Sequence, residues 1–398
     1  MKWEKKKLCE CTEYITDGDH QPAPKADKGV HFIKIKDIVN NQVSFDAQVY
    51  VPQEYYDNLP MERKPQKEDV LYTVVGSFGI PSYVQTDELF CFERNIALLH
   101  PNKDIEPRFL YYSLKNPAFY KGVEIVANGS AQKLIPLSKL KDLKISVPDK
   151  EAQRHIADIL SAYDDLIENN QRQIKLLEEA AQRLYKEWFV DLRFPGHENT
   201  KIVDGVPEGW QWCKVRDVAD INSSALPKNY KEDFIDYVDL GSVRCGHMET
   251  RTRYNLNEAP GRAKRCAKDG DIIWGMVRPN LKAYALVTNP KETDVFSTGF
   301  AVLSAKKVPY SYLYCAVTQE EFVGYLVNAT NGAAYPAVKP VHFEVADILK
   351  PDDKVLEQFH SVADSIYRKK EALENQNHNL RESRDLILPK LMSGEVEV

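Results

Sequence analysis

The fold is decided by residues 152–188, which read AQRHIADILSAYDDLIENNQRQIKLLEEAAQRLYKEW. Apolar side chains recur there at alternating steps of three and four residues, the 3.5-residue period of a helix that wraps around another helix. These seam positions are Leu160, Tyr163, Ile167, Asn170, Ile174, Leu177, Ala181, Leu184 and Trp188. Pro148-Asp149 before the run and Phe194-Pro195-Gly196 after it are typical of helix ends. We predict one helix, roughly 55 Å long, that needs a helical partner.

The second half of the chain repeats the first at an offset between 202 and 207 residues. For example, Asp69-Val70-Leu71-Tyr72 matches Asp271-Ile272-Ile273-Trp274, and the loop at 128–131 matches the loop at 331–334. At an offset of 206 the helix is repeated too, which supplies the partner from within the chain. The second seam is predicted at Ile366, Lys369, Leu373, Gln376, Leu380, Ser383 and Ile387, with Gln376 at the register of Asn170.

The repeat predicts an α+β chain in which two similar α/β domains are separated by two long antiparallel coiled-coil helices, related by a pseudo-twofold axis. Runs rich in β-branched and aromatic residues predict the strands, and loops with Gly, Asn, Ser and Pro separate them. The predicted boundaries are 1–148 and 196–350 for the domains, and 149–195 and 351–398 for the helices.

Composition excludes several classes of protein. No apolar run approaches the length of a membrane span, and seven scattered cysteines predict reduced thiols in a cytoplasmic protein, with no zinc site. The net charge is −6. The excess of negative charge lies in the helical segments, with 7 basic against 11 acidic residues in 149–198 and 7 against 10 in 351–398. Either domain can therefore still present a basic face.

Motifs of catalysis are absent from the sequence. There is no phosphate-binding loop, Rossmann glycine fingerprint, HExxH or GxSxG. Asn116-Pro117-Ala118-Phe119 is superficially similar to the Asn-Pro-Pro-aromatic motif of adenine methyltransferases, but it lacks the second proline. The nine histidines show no metal-binding spacing. We expect no catalytic residues and no metal in this chain.

A DNA-binding function fits the loops better. Residues 244–282 contain nine basic and four acidic side chains, and Lys and Arg bind phosphates while Arg, Lys, Asn, Gln and Ser can also read bases. Each residue taken singly also fits an ordinary solvated surface. Loop position and residue type give the candidates Thr16, Asp17, His20, Lys25, Lys34, Ser77, Asn128, Ser130, Gln132, Lys133, Lys228, Arg244, Arg251, Arg253, Arg278, Asn280, Lys282, Asn331 and Tyr335.

One stretch carries a family resemblance. Ile135-Pro136-Leu137-Ser138, Ile145-Ser146-Val147-Pro148 and residues 153–170 (QRHIADILSAYDDLIENN) resemble the central conserved region of the specificity (S) subunits of type I restriction-modification systems. Gly205-Val206-Pro207-Glu208-Gly209-Trp210 resembles the start of their second target recognition domain, and residues 387–395 (ILPKLMSGE) resemble their C-terminal end.

The resemblance implies a non-catalytic subunit of a restriction enzyme and adenine-specific methyltransferase complex. Each target recognition domain would read half of a bipartite, asymmetric site in double-stranded DNA. The helices would set the spacing and bind two methyltransferase (M) subunits. S-adenosylmethionine would bind to the M subunits, and ATP and Mg²⁺ to restriction (R) subunits where these are present. The alternatives are a coiled-coil scaffold whose domains bind protein partners and an enzyme with an unrecognised site.

Overall fold

The computed structural model describes residues 3–39, 41–127, 133–330 and 336–398. The chain forms two compact units, one of Met1–Asn169 with Gln376–Val398 and one of Asn170–Asn375. Each unit therefore combines a domain with part of both long helices. The predicted boundaries at 148, 195 and 350 separate the domains from the helices, which is a different division from that into compact units. They stay predictions.

In the described part of the first domain, the strands are β1 (Glu4–Lys7), β2 (Thr12–Asp17), β3 (Val30–Ile33), β4 (Ile38–Val39), β5 (Gln42–Val43), β6 (Tyr50–Val51), β7 (Val70–Thr73), β8 (Pro81–Tyr83), β9 (Phe90–Phe92), β10 (Ile96–Pro101) and β11 (Lys144–Val147). The helices are α1 (Leu8–Cys11), α2 (Gln53–Asp57), α3 (Pro107–Lys115), α4 (Pro117–Val126) and α5 (Leu137–Asp142). Asn116 caps α4 by accepting a hydrogen bond from the Ala118 N–H at 3.0 Å, which gives the Asn-Pro-Ala-Phe sequence a structural role.

A four-stranded sheet in the order β2-β10-β7-β8 forms the centre of this domain, and a three-stranded sheet β6-β3-β9 lies beside it. Strand β7 is buried along its whole length because both of its faces are covered. Val70 and Tyr72 pack against α3, while the alternate residue Leu71 packs against β3 and β9. The apolar run of β7 thus joins two cores.

The long helix α6 spans Lys150–Tyr185 and continues as one π-helical turn over Lys186–Val190. After it come β12 (Ile202–Val203), β13 (Val206–Pro207), β14 (Gln211–Lys214), α7 (Val215–Val218), β15 (Ala219–Ile221), β16 (Phe234–Val238), β17 (Val243–Arg244), β18 (His247–Met248), β19 (Thr252–Asn255) and β20 (Ala263–Arg265). The chain continues with β21 (Ile272–Gly275), β22 (Tyr284–Leu286), β23 (Asp294–Ser297), β24 (Phe300–Ala305), α8 (Tyr310–Thr318), α9 (Glu320–Asn328), α10 (Pro340–Glu344), β25 (Asp347–Lys350) and α11 (Asp353–Ser393).

The second domain repeats the first. Its central sheet has the order β15-β24-β21-β22, and its second sheet has the order β19-β16-β23-β20. Strand β21 corresponds to β7, with Ile272 and Trp274 packed against α8 and Ile273 against β16 and β23. The predicted α+β fold with an internal repeat is confirmed.

The two long helices run antiparallel within each unit. In the first unit, Leu160 of α6 shares a core with Leu388 of α11, and four residues further along α6 Asp164 is ion-paired with Arg384. In the second unit, Glu178 lies 2.7 Å from the Lys370 amine. Further along α6, the ring of Phe189 packs against Phe359, with centroids 5.0 Å apart. Residue numbers rise along α6 as they fall along α11.

Every predicted seam position on α6 is buried or half-buried, but the predicted seam on α11 is wrong in register. Lys369, Gln376 and Ser383 are exposed, and Ile366, Leu380 and Ile387 are only half-buried, while Leu373 is buried. The buried stripe lies one residue later, at Tyr367, Lys370, Asn377, Leu388 and Leu391.

The correct offset on the helices is therefore 207, which matches Asn170 with Asn377, both 2% exposed. Two long cations account for the difference. Lys370 enters the stripe because it meets Glu178, and Arg384 enters it because it meets Asp164. Hydropathy alone assigns such residues to the surface.

Candidate nucleic-acid interface

In the second domain, the loop between β21 and β22 is fixed to the segment that precedes α10. The Arg278 N–H donates to the Pro336 carbonyl at 2.8 Å, and the Val338 N–H donates to the Met276 carbonyl at 2.8 Å. An isolated bridge pairs Val277 with Ala337 between these bonds. Residues 276–278 are thus paired with residues 336–338 as two short strands would be.

The β17–β18 hairpin packs on the same loop. The Cys245 N–H donates to the Lys282 carbonyl at 2.9 Å, and the Gly246 N–H donates to the Tyr284 carbonyl at 2.8 Å. Four of the predicted residues, Arg244, Arg278, Asn280 and Lys282, therefore lie on two adjoining turns, and we call them the cationic loop cluster. Arg244, Arg278 and Asn280 are exposed, while Lys282 is half-buried and paired with Glu320.

The backbone of this cluster is strained at three positions. Arg278, Lys282 and Cys245 have φ angles of +50°, +54° and +41°. Left-handed backbone costs a residue with a Cβ roughly 1–2 kcal/mol, because the Cβ approaches the following carbonyl oxygen. Such conformations persist where the surrounding structure enforces them, and they concentrate at functional sites. The hydrogen bonds to Pro336 and from Cys245 enforce them here.

The first domain builds the same frame with different side chains. The Gly76 N–H donates to the Lys133 carbonyl at 3.2 Å, and the Ile135 N–H donates to the Val74 carbonyl at 2.9 Å. Gly76 and Gly79 carry the positive φ angles, +70° and +85°, that Arg278 and Lys282 carry in the second domain. Glycine adopts this backbone without a Cβ penalty, so this frame does not require cations.

Ser77 and Lys133 are the predicted residues that the frame of the first domain brings together. Ser77 is exposed, and the Lys133 amine lies 5.5 Å from the ring centroid of Phe78, which itself stacks on Tyr120 at 5.8 Å. Asn41, before β5, is bound to the strand that follows this loop, since its side-chain amide donates to the Pro81 carbonyl at 2.8 Å. This loop presents less positive charge than its counterpart.

Two predicted arginines lie elsewhere and stabilise the second sheet. Arg253 binds Asp236 with two hydrogen bonds, at 2.9 and 3.1 Å, and its guanidinium lies 4.1 Å from the ring centroid of Phe234. The hydrogen bond to Arg253 lowers the pKa of Asp236. Arg251 lies 3.2 Å from Asp294, whose side chain is 1% exposed. Both arginines neutralise carboxylates of the sheet. They are therefore not part of the cationic loop cluster.

The candidates Asp17 and His20 lie in a segment of the first domain that is dominated by carboxylates. Asp17 is 3.0 Å from His20, and Asp19 accepts hydrogen bonds from Tyr55 and Arg63 at 3.1 Å each. Thr16 is half-buried on β2, and Lys25 and Lys228 are exposed. Lys34 is half-buried, and its N–H donates to Asp37 at 2.9 Å. The predicted residues Asn128, Ser130, Gln132, Asn331 and Tyr335 lie outside the described residues.

A charged cluster that the sequence does not reveal ties the β17–β18 hairpin to the helices of its unit. His247 lies 3.4 Å from Glu178 and 3.0 Å from Glu374, and hydrogen bonds to these two carboxylates raise the pKa of His247 to about 9. The Lys370 amine, 7% exposed, donates to the Gly246 carbonyl at 2.8 Å. The four charged residues come from three elements, α6, α11 and the β17–β18 hairpin, so their proximity depends on tertiary structure.

Nothing in the described ranges suggests a metal centre, since no group of three or more His, Cys, Asp or Glu side chains there could hold an ion. A membrane-spanning helix was likewise not found among the described residues. What the arrangement offers is a positively charged, preorganised pair of loops on a scaffold of sheets. Phosphate groups are the kind of ligand that such a surface suits.

The chain has the fold of a protein of known structure. It superposes on the S subunit of a type I restriction-modification system from M. genitalium with a TM-score of 0.61, 16% identity, and coverage of 98% of this chain and 96% of that chain. Residues 1–179 match the family model described as the type I restriction modification DNA specificity domain.

Two relatives of this chain are type I specificity subunits. The type I restriction enzyme MjaIX specificity subunit of Methanocaldococcus jannaschii is 27% identical over 77% of this chain and 72% of its own length. The HindI specificity subunit of Haemophilus influenzae is 24% identical over 92% of this chain and 94% of its own length. Over residues 1–179 the chain matches the type I restriction modification DNA specificity domain, and over most of its length it is similar to type I specificity subunits.

Proposed function

We propose that this chain determines the DNA sequence on which a type I restriction-modification complex acts, with each domain reading one half of a bipartite, asymmetric site. The observation that supports this most directly is the repeated loop frame. Residues 74–80 and 276–282 are held by equivalent hydrogen bonds to 133–135 and 336–338, yet they present different side chains. One frame with two sets of side chains suits two different half-sites.

The two helices act as the spacer between half-sites and as the binding surface for two M subunits, with two R subunits joining where the system has them. Their excess of acidic residues repels DNA phosphates, which favours protein partners on their outer faces. Exposed apolar side chains on these helices, such as Leu176 at 63% and Leu386 at 68%, suit the same role.

The chemistry belongs to those partners. In the proposed complex, the M subunits bind S-adenosylmethionine and methylate adenine, and the R subunits use ATP and Mg²⁺. This chain contributes recognition: it holds the complex on one sequence so that the methyltransferase meets its target base. The charged loop pair thus acts through positioning.

The test is to express the chain with the M subunit of its own system and to map methylated adenines across the genome. We expect copurification and one bipartite motif, with half-site centres about 10 bp apart if both domains enter major grooves on one face of the duplex. Specific binding should also weaken steeply as salt rises, because phosphate contacts release counterions. A scaffold for protein partners would yield no motif and no such salt dependence, and that result would contradict the proposal.

A further inference from the structure

The five residues 278–282 form a rigid turn with an exposed tip. The Leu281 N–H donates to the Arg278 carbonyl at 2.8 Å, and the Lys282 N–H donates to the Pro279 carbonyl at 3.0 Å. Pro279 is buried, which anchors the turn from below. Asn280 is exposed, and Leu281 leaves 58% of its surface in solvent. An amide and an aliphatic group therefore project from a backbone that is fixed at both ends.

We infer that this turn reads bases in the half-site of the second domain, with Asn280 and Leu281 as specificity-determining residues for an A·T pair; the inference rests on the proposed function. An asparagine amide can bond to both N6 and N7 of adenine in the major groove, and an aliphatic side chain can contact the thymine methyl group. Arg278 and Arg244 flank the tip and supply phosphate contacts, which position the turn without specifying sequence.

Comparison with the first domain indicates that the left-handed backbone of this turn does not itself require cations. The equivalent positions there are Gly76 and Gly79, which hold the same left-handed backbone without strain. In the second domain Arg278 and Lys282 occupy these positions despite the strain. Positive charge therefore lies at both ends of the turn, at positions where a glycine would hold the backbone without strain.

The environment also favours this turn over Arg251 and Arg253. Arg251 and Arg253 are committed to Asp294 and Asp236 in the sheet. The tip of the turn, by contrast, presents an exposed leucine beside an exposed amide. A large apolar residue at the tip of a charged loop is better suited to a base edge than to water.

The experiment uses the complex of this chain with its M subunits. The Asn280→Asp and Leu281→Ala variants are compared with Leu256→Ala, a matched control that removes a 38%-exposed leucine from the same domain. We expect Asn280→Asp and Leu281→Ala to alter or relax one half of the methylated motif and leave the other half unchanged. Affinity for the original duplex should fall about 5- to 150-fold, the range for one lost base contact. The control should retain motif and affinity.

Arg278→Gly is a second variant that cannot fail through added strain, because glycine suits the left-handed backbone. It should weaken binding to all sequences alike and lower the slope of log affinity against log salt by about one. An unchanged motif and affinity in Asn280→Asp and Leu281→Ala would overturn the inference while leaving the proposed function intact. Absence of any bipartite motif with the unaltered chain would overturn both.

Discussion

Replacing Lys370 with methionine tests how α6 and α11 are aligned in the second unit. Lys370 is 7% exposed, lies 2.7 Å from Glu178 and 3.5 Å from Glu374, and donates to the Gly246 carbonyl. Methionine retains most of the side-chain volume but removes the charge and all three contacts. The neighbouring Lys369 is exposed, so Lys369→Met removes the same charge from the same helix and is the matched control.

The expected loss of stability in Lys370→Met depends on which interactions remain at the site. Breaking a buried ion pair costs about 3–5 kcal/mol when a charge is left uncompensated. Here Glu178 keeps His247 at 3.4 Å, and the Gly246 carbonyl loses one donor. We therefore expect a lower free energy of unfolding by about 2 kcal/mol, or a melting temperature lower by about 4–8 °C. Lys369→Met should stay within about 0.5 kcal/mol of the parent, as for other surface changes.

Thermal unfolding of both variants measures these differences, and hydrogen exchange at residues 243–248 shows whether the loss is local. A double-mutant cycle of Lys370→Met with Glu178→Gln should give a coupling energy of about 1–3 kcal/mol. Equal effects of the two lysine substitutions, or a larger effect of Lys369→Met, would refute the register described for α11.

Two further predictions concern charge. Hydrogen bonds to Glu178 and then Glu374 raise the pKa of His247 to about 9, so its stabilisation is full below the unfolded pKa of about 6.5 and is lost as pH rises through 9. With 40% of the side chain exposed, we expect about 1–2 kcal/mol, measured as a stability gap between parent and His247→Gln that closes between pH 6.5 and 10; a constant gap would contradict it. Arg253→Met should lower the melting temperature, because the Asp236 carboxylate loses its partner, yet leave the methylated motif unchanged; a changed motif would return Arg253 to the DNA-contacting residues.

The sequence predicts the parts of the fold that repeat or follow a period. The internal repeat and the α6 seam could be read because Leu160, Ile167 and Ile174 recur at regular steps. The α11 seam could not, since Ile366 and Tyr367 are adjacent and hydropathy gives either one as the buried position. Only the tertiary partners Glu178 and Asp164 explain why Lys370 and Arg384 turn inward.

The candidate site was predictable as a set of loops but not residue by residue. The candidates Arg278 and Tyr335 are far apart in the sequence, and the structure joins Arg278 to Pro336, the residue that follows Tyr335, by a hydrogen bond. The sheet pairing of Arg253 with Asp236 depends on strand neighbours that local sequence does not specify. Leu281, which we infer contacts a base, is not among the predicted candidates because an aliphatic residue in a basic stretch suggests core rather than surface. Its position between two residues of positive φ appears only in the backbone.

The division of the chain into units has a consequence for its synthesis. The second unit is contiguous, from Asn170 to Asn375, whereas the first is completed by Gln376–Val398. Leu388, Leu391 and Met392 belong to the core that contains α3 and the start of α6. On the ribosome, the domain that emerges first therefore keeps an apolar surface open until the whole second unit has been translated. Order of translation and order of completion are reversed, which makes the nascent first domain a natural client for a chaperone.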